Sequence, residues 1–494
     1  MEQNQEYATF GRQVGYVISA NIAVYLLGFI YIPVLTKGLG ANLYGTWSLI
    51  SVTVSLIVPF AMLSFPMSIV RFLAAEKDMG RIREDFLSAC SIVFISGTIF
   101  SLLLFFLSDI LAASIFKDSG LASYIKLASI LILLNSIQAL PLAFFRMRRR
   151  IGLNAILNLV YNASQIGLII AAILLGYKLT GLITALIISG ILFNLITLLY
   201  ILRQTGFQLP RFSRMKSYLR WGIPLTPNTA ILWIIHMSDR YLISYFIGVT
   251  AAGIYGAAYA IGNYASLALM PLGIVLYPNV IKTYDKGKLS ETRNYFKYSI
   301  KYLMMVAIPS AFGLSILAKP ILQILTTPEF VSGSTIIPFI AFGALLFSFY
   351  QICVYIIHLV GKTGITVRLL AASAGINILL NFILIPHMGV LGAAIATLTA
   401  YGVLGILTLM VTRRYLKFDL SLPFMAKSIF SSGIMTLGIW LMNPQSIAML
   451  IISIFAGVAV YFSVLLLIKG LSKEELAFFT TFIKDNMRKI RLGK

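Results

Sequence analysis

The chain has 494 residues, of which 59% are hydrophobic and 11% charged, with a mean hydropathy of +0.92. A soluble chain of this kind carries about 25% charged residues, so there is too little polar surface here to hold the apolar side chains in water. The net charge of +23, from 39 Lys and Arg against 16 Asp and Glu, is therefore read first as membrane topology and not as a nucleic-acid footprint.

Glu2, Glu6 and Arg12 precede an apolar run too long for the core of a cleavable signal peptide, so this run is expected to stay as a first transmembrane helix. A crossing helix needs about 20 mostly apolar residues. Cutting the chain at its charges predicts single spans at 13–36, 38–70, 86–108, 127–145, 151–177, 179–202, 221–238, 302–318 and 330–361, with one more inside 241–281. The run 369–412 breaks at Ile385-Pro386-His387-Met388-Gly389, and 428–468 breaks at Asn443-Pro444-Gln445. Proline and glycine with polar neighbours mark turns at a membrane face, so each of these runs supplies two helices. The total is fourteen. Segments on the N-terminal side of the membrane then hold 33 Lys and Arg, and those on the other side 5, with Lys126 left at the start of the fourth helix. Basic segments stay cytoplasmic, so both termini are expected inside.

An internal repeat follows from one offset. Leu39-Gly40-Ala41-Asn42-Leu43-Tyr44-Gly45 between the first two helices is matched by Ile247-Gly248 through Ala252-Gly253-Ile254-Tyr255-Gly256, the Tyr-Gly pairs lying 211 residues apart. Thr180-Gly181-Leu182 recurs at the same offset as Leu391-Gly392-Ala393. The expected layout is an N-terminal lobe (1–202, helices one to six), a basic linker (203–220) and a C-terminal lobe (221–412, helices seven to twelve). Two extra helices (413–469) and a tail (470–494) lie outside the repeat. Repeats of this kind place a substrate path between lobes that rock. In the tail, Ser472-Lys473-Glu474-Glu475 has capping-box spacing. Apolar Leu476, Phe479, Phe482, Ile483, Met487 and Ile490 follow among Lys484, Arg488, Lys489 and Arg491, the pattern of an interfacial helix on an anionic leaflet.

Enzyme chemistry finds little support. Cys90 and Cys353 fall in apolar runs, and His236, His358 and His387 lack metal-ligand spacing. No Gly-x-x-x-x-Gly-Lys-Ser/Thr run is present. The outer segments are too short for a catalytic domain. No cofactor or metal is expected, and the chain is expected not to be an enzyme.

Asn377-Ile378-Leu379-Leu380-Asn381, leading to Ile385-Pro386-His387-Met388-Gly389-Val390-Leu391-Gly392-Ala393-Ala394-Ile395-Ala396-Thr397, resembles the C-terminal signature of polysaccharide-biosynthesis transporters. Ser238-Asp239-Arg240-Tyr241-Leu242-Ile243 with Gly253-Ile254-Tyr255-Gly256 is similar to that family's seventh-to-eighth helix junction, and Leu39-Gly40 through Tyr44-Gly45 to its first. These are the lipid-linked O-antigen repeat-unit flippases of the multidrug/oligosaccharidyl-lipid/polysaccharide exporter superfamily. The resemblance implies an all-α polytopic protein of two pseudo-symmetric six-helix lobes, V-shaped and working by alternating access, plus two C-terminal helices. It implies transport of a polyprenyl-diphosphate-linked glycan from the cytoplasmic to the outer leaflet of the cell membrane. Membrane lipids, a coupling H⁺ or Na⁺ and polysaccharide-assembly enzymes are the implied partners, without nucleic acid.

Candidate substrate-path residues follow from this. Asp239 and Arg240 match the family's Asp-Arg pair; they are either functional or a local structural ion pair, because ionisable groups at membrane depth are costly. Arg71 after helix two, Lys282 at the corresponding place 211 residues on, and Arg146 ahead of Arg148, Arg149 and Arg150 are either diphosphate contacts or positive-inside anchors. Arg368, some residues inside the start of helix eleven, is placed to snorkel back to the surface. His236, a turn before Arg240, is either a proton sensor or a histidine bonded to backbone. Asn21 and Asn228 either meet sugar hydroxyls or join helices. Pro224 and Pro227 remove backbone hydrogen bonds near the start of helix seven and are either gating positions or static packing elements. Two other readings compete: a drug or organic-cation exporter of the same superfamily, coupled to H⁺ or Na⁺, and a membrane-embedded glycosyl polymerase or ligase. A cation exporter calls for an acidic cavity, and Asp239 alone among the acids is placed to sit deep.

Overall fold

The computed structural model describes residues 2–472 and Glu475; the side chains of 2–18, 21, 22, 25, 268, 270, 271, 274 and 275 fall outside it, as does the amphipathic tail expected beyond Glu475. Among the described residues every regular element is helical. The order begins with α1 (Glu2–Met62), α2 (Phe65–Leu73), α3 (Met79–Ser114), α4 (Ala122–Ala128), α5 (Ile130–Met147), α6 (Ile151–Leu174), α7 (Lys178–Thr205) and α8 (Met215–Gly222). It continues with α9 (Thr226–Phe246), α10 (Val249–Gly262), α11 (Leu269–Asp285), α12 (Leu289–Leu325) and α13 (Ile337–Leu359). The last are α14 (Thr363–Met388), α15 (Val390–Thr412), α16 (Leu422–Met442) and α17 (Ile447–Leu467).

Eleven stretches among the described residues are long and apolar enough to cross a membrane. One of them, Leu26–Leu73, is interrupted by Gly40 at φ 71° and ψ 173°, which no helix interior tolerates, so it provides two crossings. Helix α9 and the α10–α11 pair lie where the seventh and eighth of the fourteen expected spans fall. In hydrocarbon each backbone group must be satisfied within the chain, and helices achieve that segment by segment. Outward-facing side chains are correspondingly apolar: Phe106, Leu174 and Leu467 are 72%, 82% and 80% exposed, tolerable against lipid and not against water. The expected turns are present. Asn443 is left-handed (φ 37°) between α16 and α17, and Gly389 (φ 61°) separates α14 from α15, with Pro386 still inside α14.

Packing divides the chain into two compact units, the first comprising Met1–Ala257, Leu325–Gly333 and Leu370–Ala396. Its cytoplasm-predicted end is a core of Phe65, Phe86, Phe144, Phe145 and Tyr218. The 203–220 segment is not a loose tether. Arg83 donates to Gln208 and to the Thr205 carbonyl, and Ser88 accepts the Phe212 N–H. Arg214 bridges buried Asp85 at 2.8 Å and Glu76 at 3.3 Å, while the Tyr218 hydroxyl donates to Asp85 at 2.7 Å.

The second unit comprises Ala258–Ile324, Ser334–Leu369 and Thr397–Lys494. Within it Gly262 packs on Ile340, Phe347 lies 5.0 Å from the Tyr401 ring, and the Ser428 and Tyr461 hydroxyls are 2.8 Å apart. The expected capping box forms: Ser472 accepts the Glu475 N–H at 3.2 Å, and the Glu475 carboxylate accepts the Ser472 N–H at 2.8 Å. Lys301 on α12 holds the same carboxylate at 2.6 Å.

Candidate functional site

Within the first unit, the two copies of the repeated small-residue motif pack on each other. A Cβ on Gly45 would collide with the Val249 carbonyl, and one on Gly253 with the Ala41 carbonyl. Only glycine permits this approach. The break at Gly40 frees the Ala41 N–H at a new helix start, and Glu329 accepts it at 2.9 Å. Asn42 donates to Thr250 at 3.2 Å, and the Tyr44 ring stands edge-on to Phe330. Further along, Tyr241 and Thr53 share a hydrogen bond of 2.5 Å, and the Trp233 indole donates to Val52 and Ser55. A seam thus runs along the post-Gly40 part of α1, against α9 and α10.

Asp239 and Arg240 lie beside this seam, both buried. Successive helical residues diverge by about 100°, yet the pair is joined. The Arg240 guanidinium turns back along α9, 3.0 Å from Asp239 and 2.8 Å from the His236 carbonyl. The Arg240 N–H also donates to Asp239, and the Tyr255 hydroxyl donates to its other oxygen. Both oxygens of this carboxylate therefore accept hydrogen bonds from the protein. Tyr255 comes from the repeated Tyr-Gly landmark, which sequence reading identified without assigning it a partner.

The remaining candidates do not converge. Arg71 is exposed and stacks its guanidinium over Trp221 at 4.8 Å. Arg146, Lys282 and Arg368 are exposed, and Arg368 contacts its own Gly364 carbonyl one turn back at 3.4 Å. The Asn21 side chain lies outside the described residues. Asn228 is half-buried, with its amide oxygen shielded and without a hydrogen-bond partner. Pro224 sits in a short 3₁₀ turn and Pro227 at the first turn of α9. At such positions the N–H has no intrahelical acceptor, so neither proline breaks a hydrogen bond inside a helix. Both lie where a short 3₁₀ turn joins α8 to α9.

Sequence reading missed a cavity of about 410 Å³ in the first unit. Tyr31, Trp47, Ser51, Ser55, Asn135 and Gln165 line it together with Leu131 and Leu186, and among the described residues no charged side chain lines it. Tyr31, Trp47 and both serines come from α1, Asn135 from α5 and Gln165 from α6. Gln165 is held by its bond to the Tyr161 hydroxyl at 2.7 Å, and Ser55 by Trp233 at 3.0 Å. Single polar residues in apolar helices read as helix–helix glue, so only the assembled fold reveals that these face one space. Among the described residues no cluster of His, Cys, Asp and Glu is arranged to hold a metal ion.

Comparison with known proteins is consistent with this picture. The profile of the polysaccharide biosynthesis protein family matches residues 10–284, and the MatE profile matches residues 224–383. The probable low-salt glycan biosynthesis flippase Agl15 of Haloferax volcanii is 24% identical over 367 residues, 72% of this chain and 75% of Agl15. The uncharacterized membrane protein MJ1068 of Methanocaldococcus jannaschii is 27% identical over 198 residues, 40% of this chain and only 39% of that protein's length. Among solved structures, the lipid II flippase MurJ in its inward closed conformation superposes with a TM-score of 0.76 at 16% identity, covering 92% of this chain and 98% of MurJ. The fold is thus the helical, pseudo-symmetric one shared by MurJ and the MATE transporters, and the chain is a multi-pass membrane protein of the polysaccharide biosynthesis protein family, within the multidrug/oligosaccharidyl-lipid/polysaccharide exporter superfamily.

Proposed function

We infer that this protein is a flippase that carries a polyprenyl-diphosphate-linked oligosaccharide from the cytoplasmic to the outer leaflet of the cell membrane. The lobes 1–202 and 221–412 act by alternating access, with both termini cytoplasmic. The carrying observation is the chemistry of the cavity: hydroxyls, carboxamides and two aromatic rings, with no charge among the described lining residues. Sugars present hydroxyls for amide and hydroxyl groups and flat C–H faces for aromatic rings. A polar head group in that setting exchanges water for protein partners and not for bare hydrocarbon.

The competing cation-exporter reading calls for an accessible deep carboxylate. Asp239 is engaged by Arg240 and Tyr255, which argues against it. The name of Agl15, a probable glycan biosynthesis flippase, points the same way. Under the positive-inside topology, the Gly45–Gly253 seam would lie toward the outer face and would have to part there for release.

Deleting the gene supplies a cellular test. Lipid-linked glycan should accumulate in the mutant, and less of it should reach reagents confined to the outer side. Unchanged outer-side glycan, together with a new sensitivity to cationic dyes, would favour the exporter instead.

A further inference from the structure

The turn between α5 and α6 is an unusual piece of backbone. Arg148, Arg149 and Arg150 follow one another, and Arg149 is left-handed at φ 55°. Three hydrogen bonds impose the turn: Arg148 N–H to Phe144 at 3.0 Å, Arg149 N–H to Arg146 at 3.0 Å and Arg150 N–H to Phe145 at 2.9 Å. Left-handed geometry strains a side-chain-bearing residue in a way that glycine would avoid.

These three arginines, with Met147, form one wall of a cleft of about 330 Å³. Leu73, Ala74 and Glu76, at and after the end of α2, form the other. The cleft's acid is already engaged: Glu76 is bridged by Arg214 at 3.3 Å and by Arg81 at 3.9 Å, and accepts the Lys77 and Asp78 N–H groups. Arg150 is fixed by neutral acceptors, the Tyr200 hydroxyl at 3.1 Å and Gln204 at 3.0 Å, so its charge is oriented without being cancelled. Among the described residues no salt bridge involves Arg148, Arg149 or Arg150. Three arginines that form no salt bridge among the described residues thus line one cleft, and a guanidinium matches the geometry of a phosphate group better than an ammonium would.

We propose that this cleft is a binding site for a phosphate-bearing lipid head group at the cytoplasmic membrane surface. The shared chemistry is the phosphate; its source is either the polyprenyl diphosphate of the transported lipid or an anionic phospholipid. The proposal deepens the flippase reading and rests on its topology. It assigns the cleft a capture role ahead of the cavity, whose described lining residues include no cation for the diphosphate.

The test uses the full-length protein in nanodiscs of zwitterionic lipid, with added phosphatidylglycerol or a polyprenyl diphosphate detected by native mass spectrometry. Arg148→Gln/Arg149→Gly removes two charges, leaves the Arg150 contacts intact and relieves the backbone strain, so it should fold. Binding of at least one of the two lipids should weaken roughly tenfold, the loss of about one charge-assisted contact. Added salt should weaken wild-type binding in the same direction. Arg148→Lys, which keeps the charge and loses the guanidinium fork, should bind between wild type and the double variant. Selective loss of the polyprenyl diphosphate would assign the site to substrate, and loss of phosphatidylglycerol would assign it to bulk lipid. Wild-type binding of both lipids by the folded double variant would overturn the proposal. The readout needs no transport, so a failure to flip with binding intact would count against the flippase reading and leave the cleft standing.

Discussion

Glu329 accepts the backbone N–H of Ala41 at 2.9 Å, a contact spanning 288 positions of sequence. Gly40 makes it possible by ending one helix and starting the next, which leaves an N–H that a carboxylate can cap. A negative charge at a helix N-terminus is favourable in its own right. Glu329→Ala should lower stability by about 1 kcal/mol, and Gly40→Ala by about 1–2 kcal/mol through left-handed strain. Thermal unfolding of the purified protein in detergent measures both.

The seam beside this contact closes where glycine meets backbone, so it should respond to bulk. Gly45→Leu should hold the helices apart and expose Ala41→Cys to a membrane-impermeant thiol reagent, in a background lacking Cys90 and Cys353. The converse is a lock. The side chains of Asn42 and Thr250 touch at 3.2 Å, so Asn42→Cys/Thr250→Cys should cross-link under oxidation. Transport should fall at least tenfold and return on reduction. Persistent transport by the fully cross-linked protein would show that this seam does not open during the cycle.

The Asp239–Arg240 pair should behave as an internal fixture. Arg240→Ala leaves a buried carboxylate without its cation, a change of about 3–5 kcal/mol, and expression should drop. Asp239→Asn/Arg240→Gln removes both charges and should recover most of the stability. Transport within about threefold of wild type in that double variant is expected. A folded double variant without transport would return the pair to the substrate path.

At the far end of the chain, Glu475 feels burial, which raises its pKa, but the bonds from Lys301 and the Ser472 N–H outweigh burial and hold the carboxyl below its usual range. A depressed carboxyl contributes stability above its unfolded pKa, about 4.3, and loses it as pH falls through the folded value. Wild type should therefore lose stability relative to Glu475→Gln as pH drops below about 5 and onward past 4. Parallel melting profiles over that window would contradict the assignment.

Much of this was legible in sequence. Charges mark membrane faces by a rule that acts span by span, so the helix count needed no tertiary contact. The 211-residue offset likewise identified Tyr44-Gly45 and Tyr255-Gly256 as equivalent, and the fold presses these two motifs together. What stayed hidden depended on pairing across long separations. Glu329 was one more outer acid, and Arg214 and Tyr218 were linker residues until Asp85 was seen between them. Ser51, Asn135 and Gln165 sit on three different helices, and no periodicity within one helix announces a shared cavity.

That cavity makes its own prediction. Trp47→Ala and Gln165→Ala remove a stacking face and a carboxamide. Each should reduce transport about five- to tenfold, chiefly by raising the substrate concentration needed, at normal expression. An unchanged substrate dependence in both variants would exclude the cavity from the path.

The central claim is tested most directly in liposomes holding only the purified protein and a polyprenyl-diphosphate oligosaccharide. A trapping enzyme that cannot cross the bilayer reads how much of the glycan reaches each leaflet. Protein-dependent movement of the glycan lipid beyond the half initially exposed, slowed by Trp47→Ala and stopped by the Asn42–Thr250 cross-link, is the predicted result. No movement of the glycan lipid, with uptake or release of a cationic dye in the same vesicles, would contradict it.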